Sequence, residues 1–276
     1  MLFRKTRGKE FKMIWSVEKD GSRSFLAGTA HFFPYRFKDS LAIHLQQAET
    51  VVFEGPLDEE SLAKVSKAGE DHQSPSHLFE SLDKRTITSI RRNLLPSNLG
   101  GDRFQFMDLR GLRDPAYEMV KGLKPWMAFF TLWTHYLEQQ GWKSSVDLEA
   151  YRLAREMKKT IVFLETIEEQ IGVLEGLPHE RIIDFLKRAD RWNNYLGKYV
   201  KYYLRGDLEK LLTLSTGFPS RSFTVIERRD EIFFERMRPH LEKGGAIVFV
   251  GAPHVNGICR MMMAEGYEVR HHAQRK

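Results

Sequence analysis

Four short apolar runs punctuate the chain, and each is cut off by a glycine or a polar residue. Ser24-Phe25-Leu26-Ala27 runs into Gly28-Thr29-Ala30-His31, and Val51-Val52-Phe53 into Glu54-Gly55. Ile161-Val162-Phe163-Leu164 runs into Glu165-Thr166, and Ala246-Ile247-Val248-Phe249-Val250 into Gly251-Ala252-Pro253-His254. Runs of this length, rich in Val, Ile and Phe and stopped by turn formers, predict buried strands. Helical spacing fills the intervals. Residues 40–48 lead into the second strand, and a helix capped by Ser145 opens near Asp147 and runs to Met157 before the third. Residues 227–241 precede the fourth strand and 257–265 follow it. A further strand at 14–17 folds back on 25–27 through the turn Asp20-Gly21. Strands alternating with helices predict an α/β fold, a central mixed and largely parallel sheet flanked by helices.

Two long inserts interrupt this rhythm, at about 66–143 and 179–224, within what reads as a single domain spanning 1–276. The first lacks strand signals and carries a polar stretch at 69–77 that reads as a loop. It continues into Pro125-Trp126-Met127-Ala128-Phe129-Phe130-Thr131-Leu132-Trp133, where Pro125 is placed to open a helix. The second is helical in pattern and dense in Trp192, Tyr195, Tyr199, Tyr202 and Tyr203. Both read as helical caps over the sheet, with aromatics that either form the cap's core or wall a ligand cavity.

Composition narrows the classes. A chain of 276 residues with 42 % hydrophobic and 29 % charged positions is ordinary globular material, not a disordered or fibrous one. The single cysteine, Cys259, excludes an internal disulfide and a cysteine-based zinc site. With 43 Lys+Arg against 37 Asp+Glu the net charge is +6. The excess basic residues cluster at Arg4, Lys5, Arg7, Lys9 and Lys12 and again at Arg270, His271, His272, Arg275 and Lys276. Without a helix-turn-helix, finger or RNP-like motif, these clusters read as solvated tails rather than a nucleic-acid grip. The first residues carry no apolar signal core, and the apolar stretch 126–133 falls far short of the ~20 residues a membrane helix needs. The expectation is a cytoplasmic protein without a membrane segment.

In open α/β sheets, ligands bind outside the carboxyl ends of the strands. Those ends present His31, Glu54, Glu165 and His254. Two imidazoles and two carboxylates on one edge form a competent shell for a divalent Zn, Mn, Co or Fe ion, or a set for metal-free acid/base work. Gly28 and Gly251, three residues before each histidine, permit a tight turn or a close backbone approach, and the amides that follow could face an oxyanion, except at Pro253. Each residue also has a plainer reading: a histidine as a structural hydrogen-bonder, Glu54 as a turn cap, and Glu165 as the first acid of a helix. Asp147 reads as a helix-start residue. The joint placement points to function where no single residue does.

Four stretches, covering roughly the first 65 residues, 144–178 and 225–270, resemble the TraB/PrgY/GumN family, whose animal relatives include the Tiki proteases. They are IWSVEKDGSRSFLAGTAH, AETVVFEGPLD, SVDLEAYRLAREMKKTIVFLETIEEQIGVLEGLP and ERRDEIFFERMRPHLEKGGAIVFVGAPHVNGICRMMMAEGYEVR. The resemblance implies a divergent hydrolase fold related to the erythromycin-esterase and ChaN group. It places the family's two Gly-x-x-His motifs on Gly28/His31 and Gly251/His254. The family's glutamates fall on Glu54 and Glu165, and its Arg-Asn or Arg-Asp pair before the last strand on Arg229 and Asp230. Many relatives are exported or carry membrane helices; this chain shows neither pattern.

The function so implied is a divalent-metal-dependent hydrolase, a peptidase or protease acting on a peptide or other amide. His31, His254 and Glu54 would hold the metal, with Glu165 as a second ligand or general base. Arg229 would bind a carboxylate terminus or the developing oxyanion, beside Gly28 and Gly251 at the substrate. The alternative is a protein that binds haem or a peptide in the same cleft without turnover, with His31 or His254 as an axial ligand.

Overall fold

The computed structural model describes residues 8–71, 78–94, 114–222 and 225–272. Its strands are β1 (Ile14–Lys19), β2 (Ser22–Thr29), β3 (Thr50–Phe53), β4 (Thr160–Phe163), β5 (Ala246–Gly251) and β6 (Glu268–His271), in the spatial order β4-β3-β5-β2-β1-β6. The four strands β4, β3, β5 and β2 run parallel, while β1 is antiparallel to both β2 and β6. The sheet is therefore mixed and largely parallel, as the apolar runs predict. Strand β5 is fully buried from Ala246 to Val250, which is why its sequence is continuously apolar rather than alternating. Phe249 of β5 is in register with Phe53 of β3 and Ala27 of β2, so one apolar row crosses the centre of the sheet.

The flanking helices divide by the direction in which the chain travels. Helix α1 (Lys38–Gln46) carries it from β2 to β3, and the segment from β3 to β4 contains α2 (Glu59–Ala68), α3 (Lys84–Leu94), α4 (Pro115–Val120), α5 (Pro125–Gln139) and α6 (Val146–Glu156). The chain then reverses through α7 (Ile167–Glu175), α8 (His179–Leu186), α9 (Trp192–Arg205), α10 (Leu208–Ser215) and α11 (Glu227–Lys243) to β5, and α12 (Ala252–Ala264) leads to β6. Right-handed crossovers put α1 and α6 on one face and α11 and α12 on the other. Each of these pairs packs together.

The described parts of both inserts are helical: α3, α4 and α5 in the first, α8, α9 and α10 in the second. Pro125 starts α5, as its position predicts, and Ser145 caps α6 through the Leu148 amide. Phe129 and Trp133 of α5, Phe185 of α8, Trp192 of α9 and Phe218 pack edge to face, binding the inserts into one cap. Of the polar stretch 69–77, Gly69 caps α2 and Glu70 bridges to Leu123; residues 72–77 lie outside the described part.

Two local expectations are corrected. Helix α12 starts at Ala252, not near Gly257, because Pro253 occupies a first-turn position where a missing N–H costs nothing. The second basic cluster is not a solvated tail through His272. Arg270 and His271 lie in β6 and pair with β1, and the Lys12 carbonyl accepts a 2.7 Å hydrogen bond from His271 Nε2. An edge strand half exposed to water carries charges that hide it from an apolar-run search. Among the described residues no helix is long and apolar enough to cross a membrane.

Candidate functional site

The chain leaves β3 toward β4 and leaves β5 toward the opposite edge, so the crossovers diverge between these two neighbours. A crevice opens there at the carboxyl ends of the strands. Glu54, immediately after β3, spans it. The Gly251 N–H at the end of β5 donates to Glu54 Oε1 at 2.6 Å, and His254 Nε2 lies 3.7 Å from the same oxygen. Gly251 is also the N-cap of α12, so the carboxylate sits at the positive end of a helix. A Cβ on Gly251 would come within 3.3 Å of that oxygen. Neither Gly28 nor Gly251 has a positive φ. Close approach, not a tight turn, is the glycine's use: at Gly28 a Cβ would meet Val255 at 3.0 Å and the Ala252 backbone at 3.4 Å.

The Nδ1 of each motif histidine faces a buried aspartate, through a hydrogen bond at His254 and at ion-pair distance at His31. His254, in the first turn of α12, donates from Nδ1 to Asp230 Oδ1 of α11 at 2.6 Å. Gly257 makes this possible, because a Cβ there would collide with the Asp230 carboxylate. On the other side, Asp147 Oδ2 lies 3.0 Å from His31 Nδ1. Asp147 does stand in the first turn of α6, as predicted, but it does more than start a helix. His31 faces the cavity with 68 % of its side-chain surface accessible, and Asp147 pushes its pKa up to about 9. The pair is thus an imidazolium and a carboxylate at neutral pH, and burial, though it raises the Asp147 carboxyl, is outweighed by His31.

Arg229, in the first turns of α11, completes the floor. Its Nε donates to Glu165 Oε2 at 3.2 Å and its Nη2 to Glu165 Oε1 at 2.5 Å, whereas Glu54 Oε2 is 3.4 Å away. Burial pushes the Glu54 carboxyl up, but His254, Arg229, His31 and the Gly251 amide together hold it below its ordinary value. Glu165 goes the other way: burial raises it and Arg229 compensates only in part. Burial likewise raises Asp230 despite its bond to His254.

Above this floor lies a cavity of about 470 Å³. His31, Glu54, Arg229, Gly251 and His254 line its base, and Trp126 and Trp133 of α5, Tyr195 and Tyr199 of α9 and Phe218 form its walls. The aromatics of the inserts therefore serve both expected roles, with Trp192 and Tyr203 buried in the cap and others facing the cavity. Glu165 lies behind Arg229 and does not line the cavity; neither does Gly28, whose carbonyl accepts a 2.8 Å hydrogen bond from the Tyr203 hydroxyl. Asp147 and Asp230 as histidine partners, and Arg221 in the cavity wall, are not visible in the apolar pattern. Asp147 carried a signal as a lone acid at a helix start, but not the identity of its partner.

Two imidazoles and a carboxylate are donor types that could hold a divalent cation. Both imidazoles are oriented by carboxylates at Nδ1, which leaves Nε2 for a ligand. Glu54 and Glu165 share one guanidinium, so one carboxylate charge is left over for a cation. As placed, no group of three or more His, Cys, Asp or Glu side chains among the described residues surrounds a single point, so His31 would have to draw in and lose its proton.

The model of the TraB/PrgY/gumN family matches residues 13–271. No curated protein matches the chain.

Proposed function

Because the chain belongs to the TraB/PrgY/gumN family, with every site residue inside the matched span, we propose that it is a divalent-metal-dependent hydrolase of peptide or related amide bonds. The observation that carries this reading is the convergence of two aspartate-held histidines and Glu54 on the floor of one apolar-walled cavity. His31 Nε2, His254 Nε2 and a Glu54 oxygen would hold the cation. When bound, such a cation polarises a carbonyl and lowers the pKa of water toward ~7.

The remaining steps belong to the protein. Asp147 and Asp230 fix the rotation and proton position of the two imidazoles, so Nε2 and not Nδ1 meets the reacting region. The aromatic walls bind an apolar portion of the substrate and exclude water from around the susceptible amide. Arg229 faces the cavity with its fork held by Glu165, ready to stabilise negative charge on the carbonyl oxygen as water adds. Glu165 is in this reading a positioning residue, since Arg229 stands between it and the cavity.

Metal content of untagged protein tests the proposal. Near-stoichiometric Mn, Zn or Fe in the wild type, lost in both His31→Ala and His254→Ala, is the expected result and would justify screening peptides. Wild-type protein that is metal-free and also fails to bind added Mn²⁺, Co²⁺ or Zn²⁺ would overturn it.

A further inference from the structure

Arg221 lines the same cavity as Arg229 but lacks its counter-charges. Arg229 sits between Glu54 and Glu165, whereas among the described residues no carboxylate lies within ion-pair distance of Arg221. Its Nη1 donates to the Pro253 carbonyl at 3.2 Å, and its buried Nε–H has no acceptor. Glu227 and Asp230 act on it only from farther away, and Asp230 is engaged by His254. Desolvation accordingly pulls the guanidinium below its ordinary value. A cation with an idle N–H in an apolar wall is costly unless something supplies an anion.

We propose that Arg221 is the anion-recognition residue of the cavity, and that the ligand is a carboxylate carried on an apolar body. The planar guanidinium matches a carboxylate, and the Tyr195, Leu211 and Phe218 side chains lining the cavity with it match the body. Two sources share this chemistry: the C-terminal residue of a peptide, or a medium-chain fatty acid. The inference rests on the reading that this cavity is the substrate site, and it deepens that reading toward removal of C-terminal apolar residues. In that reaction water adds across the amide next to the anchored residue. The carbonyl carbon gains the oxygen and becomes a new carboxylate, the C–N bond breaks, the nitrogen takes both of the water's protons to leave as an ammonium, and the carboxylate on Arg221 leaves unchanged on the released amino acid.

Three probes test it by calorimetry on the protein as purified: N-acetyl-phenylalanine, its carboxamide, and decanoate. The wild type should bind N-acetyl-phenylalanine at least about tenfold more tightly than the neutral carboxamide. Arg221→Gln should abolish that preference while leaving carboxamide binding intact, which shows that the cavity has survived; Arg221→Lys should restore part of it. Arginine-dependent binding of decanoate alone would support the carboxylate site and assign it to a fatty acid. Equal binding of acid and carboxamide by the wild type, a preference that persists in Arg221→Gln, or no binding of either acid would overturn the proposal. Binding is read without turnover, so a negative result here is distinct from failure of the metal experiment.

Discussion

Gly257 and Gly197 are both glycines inside helices, and the structure assigns them opposite sensitivities. Gly197 is exposed on α9, and a Cβ there meets nothing within 4 Å. Gly197→Ala should therefore raise stability by about 0.5–1 kcal/mol through ordinary helix propensity. Gly257→Ala gains the same propensity but drives a methyl into the Asp230 carboxylate that holds His254. It should lower the thermal midpoint and, if the metal reading holds, lower metal content as well; a midpoint equal to or above wild type would show that Asp230 is not pinned there. The same contrast explains how much of the site was legible. His31, Glu54, Glu165 and His254 stand one to four residues after apolar runs, so strand order alone exposes them. Asp230 depends on a contact between α11 and α12, and Asp147 on one between α6 and the segment after β2, neither of which the linear pattern encodes. For Gly28 and Gly251 the sequence leaves a tight turn and a close approach both open; that it is close approach, and that α12, β2 and Glu54 are what approach, needs the third dimension.

At the scale of elements, the parallel core was legible because strands buried on both faces must be continuously apolar, and β6 was not because an edge strand need not be. The end of β6 also carries a titration. His44 of α1 is buried, its Nδ1 has no hydrogen-bond partner, and its ring packs edge to face on His272 at 5.3 Å and near Phe25 at 6.0 Å. Desolvation, with His272 adding to it, lowers its pKa from 6.5 to about 4. The unfolded chain therefore takes up a proton that the folded chain refuses as pH falls below 6.5. The stability present above that pH is lost progressively down to about 4, on the order of 3 kcal/mol in all. Urea midpoints measured at pH 7.5 and 4.5 should show a steeper loss for wild type than for His44→Gln, whatever that variant costs at pH 7.5. Parallel pH profiles would remove His44 as the cause.

For the molecule as a whole, the question is whether the cap and the sheet are one cooperative unit, because the site exists only where they meet. The contacts between them are apolar and aromatic rather than a wet seam. Tyr203 of α9 is buried, donates its hydroxyl to Gly28 of β2, and packs on Phe33 at 4.7 Å and Phe37 at 6.1 Å. Phe33 packs in turn on Trp142 at 5.7 Å. Within the cap, Trp192 is 1 % exposed and contacts Trp133, Tyr136 and Phe185. Tyr203→Phe should cost about 1 kcal/mol, the value of one hydrogen bond with the ring kept, whereas Trp192→Ala should cost about 3–5 kcal/mol. The tryptophans make the unit's size measurable. Trp15 lies in β1, while Trp126 and Trp133 of α5 and Trp192 of α9 report on the cap. With a shared apolar interface, fluorescence and far-ultraviolet circular dichroism should trace one coincident urea transition in the wild type, and Trp192→Ala should move both together. Two separated transitions, with the fluorescence change first, would mean that the cap melts from a standing sheet. His31 and Arg229 would then keep their aspartate and glutamate partners while the walls that select an apolar substrate were gone.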